Sequence, residues 1–240
     1  MLTIENVEIY GWNGAIRGMR APMNSWAKSD SYWTYIEDAE THERAKFEFF
    51  LGDNDKRLAS NLAKAGTDHG KVLRYIDVTV ELDAPLYFWK EFKTYRAGRK
   101  FLDNEEEFLI DPELLEQDIE LNSCSTMHKI HAKAFELSDF SHEHLRTMAL
   151  NNLEDTIRVL NHYRVLFMQN KGKTYWWQLI QLLPTSYNQR RIVKLNYAVL
   201  RNMYHARRHH KLDEWHTFCD WIESLPYSEL ITGGTTNEQE

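Results

Sequence analysis

His69-Gly70-Lys71-Val72-Leu73-Arg74-Tyr75-Ile76-Asp77-Val78-Thr79-Val80-Glu81-Leu82-Asp83-Ala84-Pro85-Leu86-Tyr87 carries the clearest period in this chain of 240 residues. Val72, Arg74, Ile76, Val78, Val80 and Leu82 alternate with Leu73, Tyr75, Asp77, Thr79 and Glu81. Side chains two apart share a face of an extended backbone, so the spacing predicts a strand over 72–82 with one apolar face. Pro85 has no amide hydrogen to lose and its fixed φ suits a first helical turn, which predicts a helix from there to about residue 95.

Toward the amino terminus, Val7-Glu8-Ile9-Tyr10 alternates as a short strand, and Gly11-Trp12-Asn13-Gly14 supplies a turn before a helix from Ala15. Residues 41–51 and 53–65 both carry helical spacing, the first through Phe47, Phe50 and Leu51 and the second through Leu58 and Leu62, with Gly66 as a stop. Toward the carboxyl terminus, 103–120 is acid-rich, and Glu105-Glu106-Glu107 reads as a solvated loop or helix face. Residues 141–169 read as one long helix with Leu145, Met148, Leu153, Ile157, Leu160 and Leu166 as buried positions. A helix over 175–182 ends at Pro184, Asn196 caps a further helix, and 212–222 forms the last one. The polar residues after 230 read as a disordered tail, so the expected organisation is a single domain over 1–230 with a tail over 231–240.

The hydrophobic fraction of 42% and charged fraction of 27% are those of a globular chain. No run of roughly 18 apolar residues exists, and Met1-Leu2-Thr3-Ile4-Glu5-Asn6 lacks the basic and apolar regions of a signal peptide, so no membrane span is expected and the location expected is the cytoplasm. Two cysteines, Cys124 and Cys219, are too few for a disulfide framework. A formal net charge of −7 argues against bulk attraction to nucleic acid. The basic group Arg201, Arg207, Arg208, His209, His210 and Lys211 reads either as a phosphate surface or as ordinary cationic chemistry late in a helix. His128-Lys129-Ile130-His131 and His142-Glu143-His144 lack zinc-protease spacing, and surface histidines are the simpler reading. No glycine-rich phosphate loop, nucleophile elbow, Cys-His-Asn set or dinucleotide fingerprint occurs.

The late stretch Leu183-Pro184-Thr185-Ser186, Asn196, Arg201-Asn202, Arg207 and Asp213-Glu214-Trp215 places polar groups at intervals that resemble the ligand-binding helices of flavin-dependent thymidylate synthases. The block from His69-Gly70-Lys71 through Ala84-Pro85-Leu86-Tyr87 to Thr94-Tyr95-Arg96 is similar to the path leading into that family's signature. Ile16-Arg17-Gly18-Met19-Arg20-Ala21 and Asp55-Lys56-Arg57-Leu58 match its earlier helices. The matching blocks cover a little over half the chain. The resemblance implies an α/β fold, a mixed sheet with flanking helices and a helical lobe. It further implies a homo-oligomer, a tetramer in the family, and reductive methylation of dUMP or a related pyrimidine deoxynucleotide with methylenetetrahydrofolate, NADPH and FAD.

Carried over by position, the resemblance puts His69, Tyr95, Arg96 and Asn202 at FAD, puts Glu91, Asn104 and Arg207 at the nucleotide, and makes Arg207 the catalytic cation. Asn202 and Arg207 lie five residues apart, about 140° around a helix, so they address different parts of a site. The signature itself is altered, with Thr94 for its first arginine and Tyr95 for its histidine. Asn104-Glu105-Glu106 stands where the family holds Ser-Gly-Arg against phosphate, and carboxylates cannot donate to a phosphate. Ile180 replaces a nucleotide-facing arginine, and Glu91 replaces a glutamine. The alternative to an enzyme is therefore a catalytically inactive homologue that acts as a flavin, nucleotide or protein-binding scaffold.

Overall fold

In the computed structural model, which describes residues 1–37, 44–66, 69–93 and 119–233, the central strand starts at Asp77 rather than at Val72. Val72 and Leu73 are both buried although adjacent, whereas an extended chain would send one of them outward. Gly70–Arg74 satisfies both by winding into a 3-10 turn. That turn closes on Gly11, whose φ is +95° and where a β-carbon would stand 1.8 Å from the Tyr75 carbonyl oxygen, so no other residue fits.

The chain runs β1 (Thr3–Tyr10), α1 (Trp12–Arg20), β2 (Tyr32–Glu37), β3 (Arg44–Phe50), α2 (Asp53–Lys64), β4 (Asp77–Pro85), α3 (Leu86–Phe92), β5 (Glu120–Ser123), α4 (Thr147–Asn170), α5 (Lys173–Leu182), β6 (Asn188–Asn196), α6 (Tyr197–Arg207), α7 (Asp213–Ser224) and α8 (Glu229–Thr232). The main sheet has the order β1-β4-β6-β5, and every pairing in it is antiparallel. This corrects the expected mixed sheet. Its strands are joined by long excursions, yet each returns in the opposite sense.

An antiparallel sheet can bury one face and wet the other. On the buried face Val78, Val80, Leu82 and Ala84 of β4 meet Val193 and Leu195 of β6, and the aromatic side chains Phe88, Phe92, Trp215 and Phe218 of α3 and α7 complete the core. The opposite face is polar, with Arg190 between Glu5 (3.2 Å) and Glu81 (3.6 Å), Lys194 near Asp77 (3.6 Å), and the Tyr10 and Thr79 hydroxyls 2.7 Å apart.

The helix expected over 41–51 is instead strand β3, paired with β2, while 41–43 lie outside the described residues. Phe47 and Phe50 fit a helical face, but cross-strand aromatic contacts decide the outcome: the Phe47 ring stacks 5.2 Å from Trp33, and the Phe50 ring lies tilted 5.0 Å from Tyr32. The hairpin is tied down by Trp12, stacked on Phe49 at 5.2 Å, and by the Tyr227 hydroxyl, which donates to the Phe49 carbonyl and accepts from the Leu51 amide. It is also held at the buried Asp55, which pairs with Arg20 at 2.5 Å and accepts from the hydroxyls of Ser29 and Ser31.

The long helix begins at Thr147, because residues before it pair with the β6 approach through the Phe140–Tyr187 bridge and the Ser141 amide to Ser186 carbonyl bond. Leu153, Ile157 and Leu160 are buried as expected, whereas Leu145 and Met148 are exposed. With Leu179 of α5 and Ile130, Phe135 and Phe140, the buried Leu153, Ile157 and Leu160 form a second, smaller core, the helical lobe. At the carboxyl end α8 runs through Thr232 with Ile231 buried, so the first residues of the tail expected over 231–240 are helical; 234–240 lie outside the described residues.

Candidate functional site

Asn196 ends β6 and begins α6, its side-chain oxygen accepting the Val199 amide at 3.0 Å, the capping role expected of it. From that cap, α6 buries Val199, Leu200 and Met203 and brings Arg207, its last residue, to the junction of α3 and α7. There Nη1 of Arg207 stands 3.1 Å from Oε2 of Glu91, and the guanidinium carbon lies 5.0 Å from the centroid of the Trp215 ring. The same Glu91 oxygen accepts the Trp215 indole N–H at 3.2 Å and lies 3.3 Å from Nε2 of His210.

One carboxylate oxygen thus gathers a guanidinium, an imidazole and an indole. Trp215 is fully buried, and stacked on Phe92 with rings 6.2 Å apart and nearly parallel, so it gives the cation a rigid platform. The Arg207 side chain is only 18% exposed and that of Glu91 36%, so the pair sits at the mouth of the aromatic core. A donor fork held this way can face a ligand carbonyl, but it shares its charge with Glu91.

Of the other residues singled out in the sequence, Asn202 is exposed on α6, on a different side of the helix from Arg207. His69 is exposed at the head of the 3-10 turn that packs against α6. Tyr95, Arg96 and Asn104 lie outside the described residues. The basic group after Arg207 is partly neutralised within the fold, since Arg208 pairs with Asp220 at 2.8 Å and Glu223 at 3.2 Å.

The sequence reading placed His210 only in the basic group after Arg201, and it missed the meeting of His210 with Glu91 and the platform role of Trp215. His210 follows Arg207 by three residues beyond a helix end, a spacing that signals nothing until α3 is packed alongside. At the other end of α3, the Tyr87 hydroxyl bonds the buried carboxylate of Glu214; burial and that carboxylate push the phenol well above its ordinary pKa. Tyr87 is thereby kept as a neutral donor.

No protein-family model matches the chain, and no curated protein does. Solved structures do. Thymidylate synthase X (ThyX) from Helicobacter pylori, crystallised with FAD and dUMP, superposes with a TM-score of 0.61 at 15% identity, covering 97% of this chain and 98% of that one. A second structure of the Helicobacter pylori enzyme, also with FAD and dUMP, gives 0.60 at 15% identity. The UMP/dUMP methylase PolB from Streptomyces cacaoi, bound with 5-Br dUMP, gives 0.59 at 12% identity over 97% of this chain and 95% of that one. At such identities the shared property is the fold, and it extends over essentially the full length.

Proposed function

We propose that this chain is a divergent member of the flavin-dependent thymidylate synthase fold group that binds FAD and a pyrimidine deoxynucleotide, dUMP or a close relative, and acts in the cytoplasm as a homo-oligomer, the tetramer implied by the resemblance. The reaction proposed is reductive methylation, with methylenetetrahydrofolate as carbon donor and NADPH as hydride donor. Bound FAD would supply the hydride transfer, which no side chain can perform. The observation that carries the reading is the convergence of Arg207 and Glu91, carried over separately as nucleotide-facing residues, on one aromatic platform at the end of α3.

In this reading Arg207 polarises a pyrimidine carbonyl and is the catalytic cation, acting where negative charge grows. Glu91 and Trp215 hold its fork in place, and Glu91 together with Asn104 selects the nucleobase edge. His69, Asn202, Tyr95 and Arg96 hold the flavin. A second reading, a binding scaffold without catalysis, is favoured by the Glu91–Arg207 ion pair itself, because a carboxylate 3.1 Å away reduces the positive potential available to a substrate.

Visible flavin absorbance of the purified chain, before and after incubation with FAD, tests the first element. Tritium release from 5-labelled dUMP in the presence of the folate and NADPH tests the reaction. A protein that takes up FAD but releases no tritium is the scaffold; one that never takes up FAD is neither the enzyme nor a flavin-binding scaffold.

A further inference from the structure

Two neighbouring arginines on β6 meet opposite fates. Arg190 lies on the wet face between Glu5 and Glu81. Arg191 points to the other face, is 8% exposed, and has no carboxylate within ion-pair distance among the described residues. Its Nε and Nη2 both donate to the single neutral oxygen Oε1 of Gln189, at 3.0 and 2.7 Å, and its guanidinium lies 4.4 Å from the centroid of the Trp89 ring. That ring is itself fixed by its N–H, shared between the Ala84 and Gln189 carbonyls, and Gln189 is fixed by its side-chain Nε2, which donates to the Cys124 carbonyl.

The arrangement clamps the cation without balancing it. A buried charge lacking a counter-charge is costly, and an amide oxygen and an aromatic face return only part of the lost hydration. Burial accordingly drives the guanidinium down to about 10 from its ordinary range. Nη1 makes no hydrogen bond to the described residues, and the residue keeps a small exposed surface. Directly across from Arg191 in the ladder is Ser123, the last residue of edge strand β5. Opposed residues of an antiparallel pair point to the same side, with β-carbons about 4.5–5.5 Å apart, and Ser123 is exposed.

We propose that Arg191 and the Ser123 hydroxyl form an oxyanion site at the β5–β6 edge that takes a phosphate group. A phosphate supplies the missing negative charge, offers acceptors to Nη1 and to the hydroxyl together, and is small enough to enter from the edge. Resting on the nucleotide-binding reading above, this site replaces the phosphate contacts that the altered stretch at Asn104 and the apolar Ile180 cannot make.

Calorimetric titration of the full chain at constant ionic strength, with inorganic phosphate, dUMP and deoxyuridine as separate probes, tests it. Phosphate and dUMP should bind the parent, Arg191→Met should weaken both about tenfold to a hundredfold, the range for one charge-assisted hydrogen-bonding group, and deoxyuridine should be indifferent to the change. If Arg191→Met does not fold by circular dichroism, Arg191→Lys, which keeps charge but loses the planar fork, and Ser123→Ala should each weaken phosphate severalfold. Absence of phosphate binding to the parent, or unchanged affinity in every folded variant, overturns the site. Phosphate binding through Arg191 with dUMP no tighter than phosphate leaves the anion site standing and removes the nucleotide reading. Tight dUMP binding indifferent to Arg191 and Ser123 does the reverse.

Discussion

Replacing Glu91 with glutamine, the residue that the resembled family carries there, separates the two functional readings. At 3.1 Å the Arg207–Glu91 attraction is about 1 kcal/mol with the dielectric of water and about 5 kcal/mol at an effective value near 20. Arg207 is largely enclosed and Glu91 is a third exposed, so the net figure after desolvation belongs toward the lower end, about 1–1.5 kcal/mol. The amide oxygen of glutamine can still accept the Trp215 N–H, so the platform should keep its shape. Denaturant unfolding should therefore show a loss of about 1 kcal/mol, while dUMP affinity should rise about tenfold, since about 1.4 kcal/mol of competing attraction is removed from the Arg207 fork. Equilibrium titration with dUMP, and with deoxycytidine monophosphate as a base-edge control, reads the change. Unchanged or weaker dUMP binding in a variant with the expected small stability loss would falsify the assignment of Arg207 to the nucleotide.

Three further outcomes follow from the packing. Burial raises the Asp55 carboxyl, but the bonds from Ser29, Ser31 and Arg20 outweigh it and leave its pKa below the ordinary value. Its stabilisation is thus complete above the unfolded pKa of about 4 and is lost as pH falls through the lower folded value. Asp55→Asn should cost about 3–5 kcal/mol by leaving Arg20 buried with a weakened partner, and the gap to the parent should stay constant from about pH 5 to 8 and close only below about pH 4; a gap that closes near neutrality points to another group. Asn196→Ala should lower unfolding free energy by about 1 kcal/mol through loss of the α6 cap, and restoration by Asn196→Asp but not by Asn196→Val checks that the cap is responsible. Trp12→Ala should cost about 3–5 kcal/mol and release the β2–β3 hairpin, seen as faster amide exchange at Phe49 and Leu51; equal protection in parent and variant contradicts the anchoring role.

Local pattern sufficed wherever a residue's role is set by its neighbours in the chain. The Asn196 cap, the Pro184 stop and the alternation through Val78, Val80 and Leu82 are properties of a few consecutive residues, and each is found in the fold. Strand β6 escaped notice because Gln189 and Arg191 occupy inward positions that an apolar period would fill, and their burial makes sense only with Trp89 overhead. Strand β3 read as a helix for a related reason: Phe47 and Phe50 satisfy a helical stripe equally well until Tyr35 and Tyr32 lie across from them.

What the sequence determined by itself was the identity of the polar and charged groups and their spacing along single elements, including the five-residue step from Asn202 to Arg207. Tertiary structure alone decided which of those groups meet. Glu91 and the group Arg207, His210 and Trp215 come from two stretches far apart in the chain, and only the packing of α3 against the α6–α7 region brings the latter three to one oxygen of Glu91. Electrostatic interactions fall with distance in space rather than along the chain, so no period in the sequence records whether Arg207 faces a carboxylate, or that Arg191 meets an amide oxygen and an aromatic ring.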